Sequence, residues 1–198
     1  MTEQAPTSSA LNTRACELFG VKYPIVQTGM GYVSDARLTA ATASAGGLGI
    51  IAGGMLSYEE MEQAIEFVQE RTDAPFGVNL RANQDDIDKR IDLLIRSGVK
   101  VASFALAPKR ELIDKLKNAG LVVVPSIGAR RHAEKVAAWG VDAVIVQGSE
   151  GGGHTGEIGS VVLWPEVLDV LGDTPMLAAG GIGSGRQMAA ALAMGAQG

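Results

Sequence analysis

One cysteine, few aromatic residues and no apolar run long enough to cross a bilayer set the first limits on this chain. Cys16 cannot form an internal disulfide, and no Cys or His stands near it at metal-ligand spacing. That excludes a disulfide scaffold or a zinc module and makes a reducing cytoplasm the expected compartment. The thiol is expected to serve as a small buried or half-buried hydrophobe rather than as a nucleophile. Aromatics make up only 5% of the chain against 26 glycines, so the core must rest on small and β-branched side chains packed around many tight turns. Positive charge is also scarce: 17 Lys and Arg against 22 Asp and Glu leave a net charge of -5. No basic stripe exists to track a phosphate backbone, which argues against a nucleic-acid partner. The opening MTEQAPTSSA lacks the charged and apolar regions of a signal peptide, and nothing approaches the roughly 20 apolar residues of a membrane span. Neither export nor membrane insertion is expected.

What is present is a regular alternation. Short apolar runs begin at Pro24 (PIVQT), Leu48 (LGIIA), Phe76 (FGVNL), Val101 (VASFA), Leu121 (LVVVPS), Asp142 (DAVIVQ) and Pro175 (PMLAAG). Their near-continuous apolar character marks strands buried on both faces, as in a parallel sheet covered by helices. Between them, apolar residues recur at helical spacing, as with Met61, Ile65 and Val68, or Ile87, Ile91, Leu94 and Ile95. Ser57 with Glu60 offers a capping box, and Gly98, Gly120 and Gly140 stand where helices should end. Seven βα units in succession predict an α/β fold, a parallel (β/α)8 TIM barrel truncated after the seventh unit. Such a barrel needs eight strands and typically about 250 residues, and this chain has 198. The expectation is therefore a partial barrel in which segments 24–28 and 175–180 stay apart by the width of one strand.

Four stretches carry chemistry. In TGMGYVS, Gly29, Gly31 and Ser34 approach the dinucleotide fingerprint, but IIAGGM at the end of the second strand lacks the acid that would hold a ribose. A loop that lets backbone approach a flat ring is the better account. Asn79 ends the third strand, where its amide can donate and accept at once, or can bond its own backbone as a loop residue. In VIVQGSEGGGHTGEIGS, Gln147 and Glu150 leave the sixth strand and three glycines precede His154. Consecutive glycines are entropically costly and suggest close approach of backbone to a ligand, and a His there can move a proton near neutral pH. In AAGGIGSG, Gly180, Gly181, Gly183 and Gly185 join a buried strand to a helix, a turn suited to an anion and, without a following Lys-Ser or Lys-Thr pair, not a Walker loop. The other histidine, His132, follows two arginines in a polar helix and is expected to be solvated.

These stretches, in this order, resemble the nitronate monooxygenase (2-nitropropane dioxygenase) family of FMN-dependent barrels from about Leu18 to Gly198. The pairing of QGSEGGGHTG with AAGGIGSG is the most specific part. The resemblance implies FMN held by Gly29, Met30, Asn79, Gln147, Gly152, Gly180 and Gly181, with His154 as the active-site histidine and no metal. It divides the chain into a polar tail and lead-in, 1–17, and a partial FMN-binding barrel, 18–198. It implies a cytoplasmic oxidoreductase acting on a small molecule, with a homo-oligomer as the one protein partner to consider. The departures are TGM where many nitronate oxidisers read APM, and EGGGH where they read EAGGH. VQTGMGYV, GVKVASFALAPK and EGGGHTG are closer to flavin-dependent reductases of CoA thioesters in steroid ring degradation. The implied activity is oxidation of alkyl nitronates with dioxygen or, alternatively, transfer of hydride from a reduced nicotinamide through the flavin to a CoA thioester. A non-catalytic fragment is the third alternative, motivated by the missing eighth strand.

Overall fold

The computed structural model describes residues 9–105, 108–153 and 155–198. After a short helix α1 (Arg14–Phe19), strands and helices alternate. The first four units are β1 (Val26–Gln27) with α2 (Ala36–Ser44), β2 (Leu48–Ile51) with α3 (Tyr58–Gln69), β3 (Phe76–Leu80) with α4 (Ile87–Arg96), and β4 (Val101–Phe104) with α5 (Arg110–Asn118). Three more follow: β5 (Val122–Ile127) with α6 (Arg130–Ala138), β6 (Val144–Gln147) with α7 (Ser160–Leu171), and β7 (Met176–Ala179) with α8 (Gly185–Ala193). All seven strands are parallel and lie in sequence order, as the continuous apolar runs predict.

Alternate residues of each strand divide the core in two. Leu48, Ile50, Val101, Val122, Val124, Ile145 and Leu177 form one cluster. Their neighbours Ile51, Val78, Leu80, Phe104, Val123 and Val146 pack instead against helix residues such as Met61, Ile65, Ile91, Leu94, Ile113 and Val167. Leu48 of β2 and Leu177 of β7 share a cluster although their strands are not neighbours, so the sheet curls round on itself. Ala15 and Phe19 of α1 belong to that inner cluster, so the lead-in helix contributes to the barrel interior. Cys16 is buried on the same helix, its thiol donating to the Leu11 carbonyl.

The capping box forms, with Ser57 Oγ accepting from Glu60 N–H and the Glu60 carboxylate accepting from Ser57 N–H. Gly98, Gly120 and Gly140 adopt the left-handed conformation expected just past helix ends. Gly49 of β2 has a different cause: a Cβ there would lie 2.3 Å from the Thr39 carbonyl oxygen of α2. Gly49→Ala must push α2 away from the sheet, and a loss of about 1–3 kcal/mol is expected from the shift in urea midpoint. An unchanged midpoint would mean that the helix yields freely at this contact.

β1 pairs only with β2, and β7 only with β6, among the described strands. Gln197 and Gly198 enter the interval between the two edges. Gln197 N–H donates to the Met176 carbonyl at 2.7 Å, and Ala178 N–H donates to the Gly198 carbonyl at 2.8 Å. A Cβ on Gly198 would stand 2.9 Å from the Pro24 carbonyl oxygen. These two residues thus occupy the start of the eighth strand position, and the fold is seven units of a (β/α)8 barrel. Below them, Thr13 Oγ1 donates to the Gln197 carbonyl at 2.5 Å, tying the lead-in to the last residues.

Candidate active site

The C-terminal ends of parallel barrel strands are where such folds carry their chemistry. Here the inward side chains change from apolar to polar at that end. Asn79 and Ser103 are paired in register on β3 and β4, and Gln147 and Ala179 on β6 and β7. Asn79 is 9% exposed and its Nδ2 donates to Ser103 Oγ at 3.1 Å. Its Oδ1 accepts no hydrogen bond among the described residues, which leaves an acceptor available to a ligand.

Gly29, in the loop after β1, lies directly on Asn79. A Cβ there would stand 2.4 Å from Asn79 Cβ, so only glycine fits. Ser34 shapes this loop. Its buried hydroxyl donates to the Thr28 carbonyl at 2.7 Å and accepts from Met30 N–H at 2.9 Å and Gln27 Nε2 at 2.8 Å. The clamp leaves Met30, Tyr32 and Val33 exposed, with Tyr32 in the left-handed conformation at φ 63°. Gly31 meets Met55 in the 3-10 turn Gly53–Met55 after β2. That turn is held from beneath by Arg90 of α4, a 4% exposed cation. Its Nη1 donates to the Gly53 carbonyl (3.1 Å), its Nη2 to the Leu56 carbonyl (3.0 Å) and its Nε to Asp86 Oδ1 (2.8 Å). The bond from Arg90 holds the Asp86 carboxyl below its ordinary range.

On the opposite flank, Gln147 Nε2 donates to the Gly152 carbonyl at 2.7 Å, folding the loop after β6 back over its strand. A Cβ on Gly151 would lie 2.5 Å from Gln147 Nε2 and would displace that side chain, whereas a Cβ on Gly152 would meet nothing within 4 Å. Glu150 anchors the loop to the start of α7. Its Oε2 accepts from Ser160 N–H at 2.9 Å and from Ser160 Oγ at 2.8 Å. The Ser160 backbone N–H is the main cause of a Glu150 carboxyl held below the usual carboxylate range. The tether is therefore fully present above the ordinary carboxyl pKa and is lost only as pH falls through the depressed value.

The loop after β7 opens with two left-handed glycines, Gly180 at φ 97° and Gly181 at φ 77°. Gly180 adjoins Ser160 and Gly148, and Gly181 adjoins Glu150. The N–H groups of Gly181 and Ile182 have no partner among the described residues, and α8 begins three residues later.

The residues singled out in the sequence thus fall into two groups at one end of the barrel. Gly29 touches Asn79, with Met30 beside them, and Gln147 with Gly152 is linked through Glu150 and Ser160 to Gly180 and Gly181. His154 lies outside the described residues. Sequence reasoning missed Ser103, Arg90 and Ser160. Asp86 and Arg90 do stand one helical turn apart, but that spacing looks the same for a surface pair. His132 is exposed, as expected.

The family model described as nitronate monooxygenase matches residues 12–89 and 84–198. The chain belongs to the nitronate monooxygenase family. This is a family of flavin-type oxidoreductases. The chain is 61% identical over 190 residues to the (3aS,4S,5R,7aS)-5-hydroxy-7a-methyl-1-oxo-octahydro-1H-indene-4-carboxyl-CoA dehydrogenase of Rhodococcus jostii, covering 96% of this chain and 54% of that one. Among solved structures, FabK from Thermotoga maritima superposes with a TM-score of 0.89 at 38% identity, covering 93% of this chain and 59% of FabK. Nitroalkane oxidase from Streptomyces ansochromogenes gives 0.85 at 34% identity, covering 92% and 65%. The chain spans about half the length of these curated relatives. No helix among the described residues is long and apolar enough to cross a membrane.

Proposed function

We propose that residues 18–198 form the FMN-binding part of an oxidoreductase that acts on a CoA thioester carrying a fused-ring acyl group. The observation that carries the substrate class is the 61% identity, over nearly the whole chain, to a dehydrogenase of a bicyclic carboxyl-CoA. The observation that carries the cofactor is the pair of glycine turns after β6 and β7, whose backbone is free of side chains where a ligand would approach.

The residues present fit such a cofactor. Gly181 and Ile182 N–H groups ahead of α8 suit a single terminal phosphate. Asn79 Oδ1 and the Gln147 amide offer donors and acceptors to a heteroaromatic edge. Gly29, Met30 and Gly152 leave room for a flat ring to lie against backbone. A flavin, when bound, supplies two-electron oxidation or reduction. The protein's share is position: Asn79 held by Ser103, Gln147 held by Gly152, and a substrate placed by the rim formed by Met30, Tyr32, Val33 and Met55. His154, assigned by the EGGGHTG motif, binds the substrate or moves its proton. Nitronate oxidation is the second reading, favoured by the 34% identity to nitroalkane oxidase.

The cofactor is checked by denaturing the purified yellow protein and chromatographing what is released, with FMN expected. Release of FAD or a nicotinamide dinucleotide would overturn the assignment, and a colourless protein that ignores added FMN would return the chain to the class of non-catalytic fragments. Anaerobic bleaching by a hydroxylated bicyclic CoA thioester, but not by an alkyl nitronate, separates the two substrate readings.

A further inference from the structure

Ser160 stands where three separate segments converge. Its hydroxyl lies 2.8 Å from Glu150 Oε2, 2.9 Å from the Gly180 carbonyl oxygen and 3.4 Å from the Ala179 carbonyl oxygen. The side chain is 3% exposed. Two glycines lie against it: a Cβ on Gly148 would stand 2.2 Å from Ser160 Oγ and 2.5 Å from the Ser160 backbone nitrogen, and one on Gly180 would stand 2.8 Å from Ser160 Oγ and 2.9 Å from the Gly148 backbone nitrogen. The end of β6, the end of β7 and the start of α7 therefore close on a single hydroxyl.

A helix start needs no such arrangement. The Ser160 N–H is already satisfied by the Glu150 carboxylate, so the hydroxyl is not needed as a cap. What the hydroxyl adds is a side-chain link between the two loops, beside the Gly148 N–H bond to the Ala179 carbonyl and the contact of Gly181 with Glu150. The single hydroxyl hydrogen has two acceptors, the Glu150 carboxylate at 2.8 Å and the Gly180 carbonyl at 2.9 Å, and shared between them it joins the loop after β6 to the turn after β7. The carboxylate takes the larger share, because a bond to a charged acceptor is roughly twice as strong as one to a carbonyl.

We propose that Ser160, braced by Glu150, is a positioning residue that fixes the spacing between the turn after β6 and the turn after β7, and so sets how much the phosphate of the flavin contributes to its binding. This rests on the flavin reading above. If the turn after β6 lies along the ring while the turn after β7 takes the phosphate, a change in their spacing costs a ligand that must reach both. A ligand that lacks the phosphate is spared.

The test compares affinities for FMN and for riboflavin, which lacks the phosphate, by fluorescence quenching in apoprotein prepared from the holoprotein. Ser160→Ala is expected to lower the FMN-to-riboflavin affinity ratio about tenfold, on the scale of one lost hydrogen bond to a charged group. Glu150→Ala should do the same by releasing the brace. Glu150→Gln should keep the ratio, since its amide can accept from Ser160 N–H and donate to Ser160 Oγ, which then turns its hydrogen to the Gly180 carbonyl. An unchanged ratio in Ser160→Ala or Glu150→Ala overturns the inference, as does an equal loss for both ligands, which would mark a merely structural role. Failure of the unsubstituted protein to bind either ligand would instead overturn the flavin reading beneath it.

Discussion

Replacing His154 with Ala is expected to lower turnover about 100- to 10,000-fold while the yellow flavin complex survives. That range is the usual contribution of a placed proton-transfer side chain. The cofactor should be retained because the surrounding loop is shaped by other groups. Gln147 binds the Gly152 carbonyl, Glu150 ties the loop to α7, and Gly153 turns the backbone at φ 78°. None of these depends on an imidazole. Steady-state kinetics with a bicyclic CoA thioester and with an alkyl nitronate, alongside the flavin spectrum, give the two readouts. Normal turnover with both substrates would remove His154 from the chemistry, and loss of the flavin would make it a cofactor residue instead.

Arg90→Leu is expected to cost about 2–4 kcal/mol of stability. The leucine fills part of the same space but leaves the Leu56 carbonyl without its donor, the Gly53 carbonyl with only the Leu56 N–H, and Asp86 without its partner, and an unsatisfied buried polar group costs about 1–3 kcal/mol. Arg90→Lys should recover only part of the loss, because an ammonium cannot present the planar fork that reaches two carbonyls and Asp86 at once. The measurement is the denaturant midpoint at constant m-value. A shift below about 0.5 kcal/mol, within the range of an ordinary surface change, would show that solvent replaces the guanidinium without penalty. The pH dependence has a definite sign. The depressed Asp86 carboxyl contributes stability above its unfolded pKa and loses it as pH falls through the folded value, so Arg90→Leu should flatten the acid side of the stability profile.

The strands were legible because a buried parallel strand has no polar face to interrupt it. FGVNL and LVVVPS are buried almost throughout, and each coincides with a strand of the barrel. The capping box and the left-handed glycines were legible for a local reason, since their geometry is decided within four residues of chain. The glycines of TGMG and AAGG stood out in the sequence, but the packing of Gly29 on Asn79 and of Gly180 on Ser160 joins different units and was not foreseen. Arg90 and Ser160 were not legible, because their roles depend on carbonyls and carboxylates supplied from other units. A helix carrying Asp86 and Arg90 one turn apart looks the same whether the cation faces water or, as here, the turn Gly53–Met55. β1 was also shorter than its apolar run suggested, with Val26 and Gln27 alone in the ladder, because Ser34 draws Thr28 and Met30 into the following loop.

The bond from Thr13 to Gln197 has a kinetic meaning. Every strand pairs only with the one before it and the one after it, so most of the sheet can assemble by joining segments some 20 to 30 residues apart, whereas this contact spans 184 positions. Closing a chain loop costs an entropy that grows only with the logarithm of its length, about 0.6 kcal/mol per doubling. Roughly three doublings separate a neighbouring-strand loop from the Thr13 closure, an extra cost of about 1.8 kcal/mol. Joining Thr13 to Gln197 is thus only slightly dearer than joining two neighbouring strands.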